Sequence, residues 1–147
     1  MDESKNSTSL ENIAIVKQFF KYYGKNDILG LREIFAPDIE WIVPGHHPLA
    51  GTKKGVEEVI AYYKQLQKAN FKAEVIILEG NENYVIDCHR GWAEVGNIKL
   101  NMNWVLLYTI ENGKIKSMQN FPADQHAADA FFWQVYKLKE IPDRLQN

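Results

Sequence analysis

The sequence lacks the features that mark several classes of protein. Its single cysteine, Cys88, excludes an internal disulfide and a cysteine-rich zinc site. No apolar run approaches the ~20 residues that span a bilayer. The 17 basic residues are outnumbered by 19 acidic ones and form no cluster, which argues against nucleic-acid binding. The polar, acidic start MDESKNSTSLEN differs from a secretory signal peptide. We therefore expect a cytoplasmic protein with neither a membrane nor a nucleic acid as partner.

The sequence does contain enough apolar material for one core. Its 147 residues are 46% hydrophobic and 12% aromatic, which suits a single domain. We predict a disordered lead-in over residues 1–8, one domain over 9–138 and a C-terminal tail over 139–147. Thr8 and Glu11 have the spacing of a capping box, which predicts that the first helix begins there.

Hydrophobic spacing places helices early in the chain and strands later. After the first helix, a helical period predicts helices over 27–35, with Asp27 as its N-cap, 56–68 and 123–138. Alternation predicts strands over 39–43, 71–79, 83–94, 97–110 and 114–121. The Gly- and Pro-rich segment 44–55 is expected to be a loop, and Asn112-Gly113 is a strong hairpin signal.

This order of elements predicts an α+β fold. The helices are segregated from a run of four long antiparallel strands, whereas a parallel sheet would need alternating strands and helices. A strand as long as 97–110 must twist, and Gly91 and Gly96 give the sheet places to bend. Such a sheet can curl around a helix and enclose a cone-shaped cavity.

Two segments make the family recognisable. The stretch WIVPGHHPLAGTKKGVEEVIAYY enters the third helix through Pro48, Leu49, Gly51 and Gly55, and a later strand ends in NFPADQHAADAFFW. Over about residues 10–134 the chain resembles SnoaL-like domains of the nuclear transport factor 2-like superfamily, which includes polyketide cyclases and ketosteroid isomerases. The resemblance implies a cone-shaped, cystatin-like α+β barrel with a mainly antiparallel sheet, a pocket inside and a homodimer. Fold alone does not assign an activity.

Asp124 is the candidate catalytic residue, because the resemblance places a pocket carboxylate just past the last strand. A carboxylate in a partly apolar cone can act as a general acid/base toward a carbon beside a carbonyl. The alternative is structural: Asp124 directly precedes a predicted helix, where Asp is a good N-cap.

Four polar side chains on neighbouring strands are candidates for ligand binding. Asp87 and His89 share one face of the predicted strand 83–94, and Asn101 and Asn103 share one face of the next. Together they could form a hydrogen-bonding wall of the pocket. They could equally lie on the wet face of an antiparallel sheet.

The remaining candidates are aromatic residues and loop histidines. Trp41, Trp92 and Phe121 would supply an apolar wall, while His46 and His47 could reach a ligand from the loop or simply face solvent. Adjacent residues in an extended loop point apart, and no carboxylate stands at a convincing ligand spacing, so we predict no metal site.

Two functions remain open after these observations. One is a cofactor-independent isomerase, cyclase or epoxide-hydrolase-like enzyme acting on a small apolar or carbonyl-bearing molecule. The other is a non-catalytic ligand-binding or dimerisation module of the same fold. Apolar side chains occur on both faces of the predicted strand 97–110, which predicts a homodimer because one apolar face is left over after the cone closes.

Overall fold

The computed structural model describes residues 3–138 and residue 145. Its helices are α1 (Glu3–Lys25), α2 (Ile28–Ile34), α3 (Gly55–Lys68) and α4 (Gln125–Val135). Its strands are β1 (Phe35–Val43), β2 (Gly51–Lys54), β3 (Lys72–Gly80), β4 (Tyr84–Val95), β5 (Ile98–Glu111) and β6 (Lys114–Pro122). The predicted tail 139–147 lies outside the described residues, apart from Leu145.

All six strands of this part of the chain belong to one sheet, in the order β2-β1-β6-β5-β4-β3. Every pairing is antiparallel except that of β1 with β6, which is parallel. The register shifts between Val75 and Ile77 in β3 and between Thr109 and Ile110 in β5. Irregularities of this kind bend a strand and increase its twist, so they help the sheet to curl.

The helices cover one face of this sheet, which we call the inner face. α1 packs on β3 and β4, and α3 packs on β1. The inner residues of β4 alternate with exposed ones, as in Val85, Asp87 and His89 between Tyr84, Ile86 and Arg90. The opposite, outer face is left uncovered by any described helix. This is the predicted α+β architecture of a curved, mainly antiparallel sheet wrapped around helices.

One predicted cap and one predicted turn are found in place. Asp27 caps α2, because its Oδ1 accepts from the Gly30 N–H at 2.9 Å. The β5–β6 hairpin turns on Asn112 and Gly113, whose φ angles are 52° and 74°. Both turn positions need positive φ, which is why this dipeptide is a reliable signal.

The start of α1 differs from the prediction. Residues 3–8, expected to be disordered, are helical, and the capping-box pair lies inside α1 and not at its start. Contacts distant in sequence hold this part of the helix: Lys5 pairs with Glu82 at 3.8 Å, and Asn12 donates to the carbonyls of Asn81 and Glu82. A local reading of the sequence contains no information about these contacts.

The sheet is also larger than the four-stranded meander predicted. β1 joins it beside β6, and part of the predicted loop 44–55 forms the short edge strand β2, which pairs with β1. Lys53 in β2 donates to the carbonyls of Leu49 and Gly51, which steadies the turn before it.

Candidate functional site

A cavity of about 60 Å³ lies between the helices and the inner face of the sheet. Its walls are mostly aromatic. α1 and α3 contribute Phe19, Phe20, Tyr23, Tyr62 and Leu66, and the strands and α4 contribute Trp41, Trp104, Leu106 and Phe132. Lys72, His89 and Asn120 also line it. The cavity therefore suits a small, largely apolar ligand with few polar groups.

The cavity borders a wider groove of about 380 Å³. Phe20, Tyr23 and Phe71 line both spaces. The groove runs along the ends of α1 and α3 and the start of β3, with Trp92 at its border. Because they share these walls, the groove and the cavity are adjacent.

Gly91 makes room for one wall of the cavity. A Cβ at this position would lie 2.7 Å from Nε1 of Trp104, closer than a Cβ atom approaches a neighbouring atom in real proteins. The Trp104 indole N–H donates to the Gly91 carbonyl at 3.3 Å. The absence of a side chain at Gly91 thus allows the indole to lie against the sheet.

His89 belongs to a buried chain of hydrogen bonds. Asp87 is fully buried (0% exposed), and its two carboxylate oxygens contact different partners. Oδ1 lies 2.5 Å from Nδ1 of His89, and Oδ2 accepts from the Tyr108 hydroxyl at 2.5 Å. Burial, together with the charge of Asp87, raises the pKa of Tyr108 well above its usual range, so this hydroxyl stays protonated as a donor.

The Asp87 carboxylate determines which nitrogen of His89 is available. A carboxylate only accepts, so Nδ1 carries the proton that it donates to Asp87. In the neutral ring the lone pair is then on Nε2. Within the described residues no fully buried polar side-chain atom lacks a hydrogen bond, so Nε2, which bonds none of them, is not fully buried, and His89 lines the cavity. His89 therefore presents a proton acceptor to any ligand there.

Asn120, on β6, is another polar group of the cavity. It is 8% exposed, and its Oδ1 accepts from the indole N–H of Trp41 at 2.7 Å. It also lies close to the Tyr62 hydroxyl, where it opposes the rise that burial causes in the pKa of Tyr62. Neither Asn120 nor Tyr108 is among the site residues predicted from the sequence. Alternation puts each on a strand face with apolar neighbours, but nothing local marks that face as the inner one.

The structure brings only some of the predicted ligand-binding residues together. Trp41 and His89 line the cavity, and Asp87 lies directly behind His89. Trp92 borders the groove, where the Arg90 guanidinium stacks on its ring at 4.2 Å.

Asn101, Asn103 and Phe121 do not line the cavity, and their expected placement in its wall is wrong. All three are exposed. In the β4–β5 register His89 pairs with Trp104, so the even-numbered residues of β5 share the inner face with Asp87 and His89. Asn101 and Asn103 are on the outer face for this reason, as is Phe121 opposite Val105.

Asp124 is also outside the cavity, so the expected placement of a pocket carboxylate is wrong for this residue. Its side chain is exposed, and Oδ1 accepts from the Ala127 N–H at 3.0 Å. This is the N-cap of α4. The capping alternative describes the observed geometry, in which the carboxylate faces solvent and a backbone donor.

The two loop histidines take different positions, and neither lines the cavity. His46 is exposed, and its carbonyl accepts from the Trp133 indole. His47 is buried and stacks on Phe132 with ring centroids 4.4 Å apart. Burial lowers the pKa of His47, and its Nδ1 accepts from the Leu49 N–H. His47 thus supports a cavity wall from behind.

Among residues 3–138 and 145, no group of three or more His, Cys, Asp or Glu side chains is arranged to hold a metal ion. No helix in the same part of the chain is long and apolar enough to cross a membrane.

Comparison with known proteins agrees with this fold. The model of the SnoaL-like domain matches residues 16–118. The chain therefore belongs to the SnoaL-like family, within the nuclear transport factor 2-like superfamily, as the resemblance predicted.

Three relatives illustrate the breadth of the match. An uncharacterised protein of Mycobacterium tuberculosis is 30% identical over 125 residues, covering 82% of this chain and 95% of its own. The structure of Bal32a, from a soil-derived mobile gene cassette, aligns with a TM-score of 0.82 at 25% identity, covering 85% of this chain and 98% of its own. A nuclear transport factor 2-like protein of Burkholderia xenovorans aligns with a TM-score of 0.73 at 28% identity, covering 84% and 97%.

Proposed function

We propose that this protein binds a small, largely apolar carbonyl compound and moves a proton on it without a cofactor, with His89 as the general base. One observation carries the proposal: a fully buried carboxylate, Asp87, holds Nδ1 of the histidine that lines the cavity, which leaves Nε2 as the acceptor nitrogen. A histidine oriented by a carboxylate is a common general base.

The reaction class follows from these groups. His89 Nε2 takes a proton from a carbon next to a carbonyl, and the electron pair of the C–H bond moves onto the carbonyl oxygen as an enolate. Asp87 stabilises the resulting imidazolium through the Nδ1–H bond. Nε2 then returns the proton to the same or another carbon, which gives exchange or isomerisation. No oxidant, metal or second substrate is required.

An exchange assay with a generic ketone tests this function before the natural ligand is known. The probe is 2-tetralone, an aromatic ketone with activated protons beside its carbonyl, followed in D₂O by proton NMR. We expect the protein to accelerate deuterium uptake above the buffer rate. His89→Gln should lower that rate by about 10²-fold or more.

His46→Gln is the matched control, because it makes the same change at an exposed histidine outside the cavity. Its rate should equal that of the wild type. Exchange no faster than buffer would contradict the catalytic proposal. If 2-tetralone then still perturbed the cavity resonances, a non-catalytic ligand-binding module would be the remaining function.

We further propose that two copies pair through the outer face of the sheet. Register partners place Ile77, Cys88, Val105 and Phe121 in one row across β3, β4, β5 and β6. Ile86 and Leu107 form a second apolar pair beside this row. A continuous apolar patch over four strands is more than monomers usually leave in water, and a second copy of the same face is complementary to it.

A further inference from the structure

Asn120 is held in a single orientation by Trp41. The indole N–H can only donate, so the amide atom that it contacts at 2.7 Å is the carbonyl oxygen. The amide nitrogen with its two hydrogens therefore occupies the other position. Contact with the Tyr62 hydroxyl accounts for at most one of these hydrogens. At least one donor remains for a ligand in the cavity that Asn120 lines.

The sheet register places this donor across the cavity floor from His89. Asn120 is the register partner of Leu106, and Leu106 is the partner of Asp87. These three residues form one row over β6, β5 and β4, and His89 follows Asp87 by two residues on the same face. Neighbouring strands are separated by about 4.8 Å, so the backbones of Asn120 and Asp87 are roughly 10 Å apart.

We propose that Asn120 is the hydrogen-bond donor to the ligand's carbonyl oxygen, and that the site selects planar ketones whose acidic C–H is adjacent to that oxygen. This inference rests on the function proposed for His89. A ligand lying over Leu106 would place its oxygen at the amide of Asn120 and the neighbouring carbon toward Nε2 of His89. When His89 removes the proton, the electron pair of the C–H bond moves onto the oxygen, and the Asn120 donor stabilises the enolate.

The aromatic walls fit the same class of ligand. Trp41 and Tyr62 pack edge to face with ring centroids 4.9 Å apart, and Trp104 lies two residues from Leu106 on the same face of β5, where it pairs with His89. Aromatic side chains of this kind contact a flat ring over a large area. A ketone oxygen can only accept a hydrogen bond, so it is complementary to the N–H donor of Asn120.

The first measurement uses the wild-type protein and two probes of similar shape, 2-tetralone and its hydrocarbon counterpart tetralin. With ¹⁵N-labelled protein, 2-tetralone should shift the side-chain amide resonances of Asn120 downfield. Tetralin should move resonances of the aromatic walls and leave that amide proton in place. An Asn120 amide that does not respond to 2-tetralone would overturn the proposal.

The second measurement uses Asn120→Asp, which keeps the shape and the acceptor for Trp41 but loses the N–H donors. Affinity for 2-tetralone should fall about tenfold while that for tetralin is unchanged, and the exchange rate should fall about 10²-fold. The matched control is Asn103→Asp, the same substitution on the outer face, which should have no effect. An unchanged ketone-to-hydrocarbon affinity ratio in Asn120→Asp would overturn the inference.

The outcomes separate this inference from the function on which it rests. Rapid exchange with an unresponsive Asn120 amide would refute the donor and leave the His89 proposal standing. A shifted amide without exchange would support the donor and refute catalysis. If neither probe perturbed the cavity, both proposals would fail. The amide measurement on the wild type decides the question even if Asn120→Asp does not fold.

Discussion

The two faces of the sheet contain similar residues in very different settings. On the inner face, Asp87 bonds His89 and Tyr108, and Asn120 bonds Trp41, all beneath the helices. On the outer face, Asn101 and Asn103 are exposed. The polarity of a strand residue therefore does not indicate a site by itself. On the inner face, the helices exclude water from the polar side chains, and hydrogen bonds fix the orientation of these side chains.

Among substitutions that test this comparison of the two faces, we expect the largest loss of stability at Asp87. Asp87→Ala leaves the ring N–H of His89 and the hydroxyl of Tyr108 without their acceptor inside the core. We expect the free energy of unfolding to fall by about 3 kcal/mol, measured by urea denaturation at neutral pH.

Asn101→Ala is the control on the outer face, and it should change stability by no more than about 0.5 kcal/mol. Equal losses in the two variants would show that the inner hydrogen bonds contribute nothing specific.

The outer face is tested by a charge placed in its apolar row. Phe121 is 47% exposed in the single chain, and Phe121→Asp puts a carboxylate where the proposed partner copy would pack. In sedimentation velocity at micromolar concentration, the wild type should run at twice the chain mass of 17.0 kDa, and the variant should run as a monomer. Leu29→Asp, at an exposed position on α2, should stay dimeric. A monomeric wild type would contradict the pairing.

The smallest effect is expected at Asp124, which is on neither face. Asp124→Ala removes the cap of α4 and should cost about 1 kcal/mol of stability, while Asp124→Asn should cost almost nothing, since Asn caps as well as Asp. Both variants should exchange 2-tetralone at the wild-type rate. Slower exchange in Asp124→Asn, with unchanged stability, would indicate a catalytic role for Asp124. It would also contradict the proposal that the reaction takes place only at the inner face.

Local patterns in the sequence predicted most of the elements of this fold. Alternation located β3 to β6, and Asp27 and Asp124 stand at the helix starts that they were expected to cap. Each of these signals acts over a few neighbouring residues, which is why the sequence alone reveals it. The pairing of β1 with β6 left no such local trace.

The site was predicted only where its residues are close in sequence. Asp87 and His89 were recognised as a pair because residues two apart share a strand face. Tyr108 and Asn120 were missed because their partners are 21 and 79 residues away. Whether Asn101 and Asn103 join His89 depends on the inter-strand register, and a shift of one residue would reverse their face.

The parallel pairing of β1 with β6 also bears on how the molecule folds. The hairpins linking β3 to β6 join neighbouring segments and can form early, because closing a short loop costs little entropy. Trp41 meets Asn120 only after the chain between them has been made and its ends brought together. Long-range pairings of this kind slow folding. During synthesis the cavity should therefore be among the last parts completed, so chains truncated before β6 would hold His89 without a finished cavity.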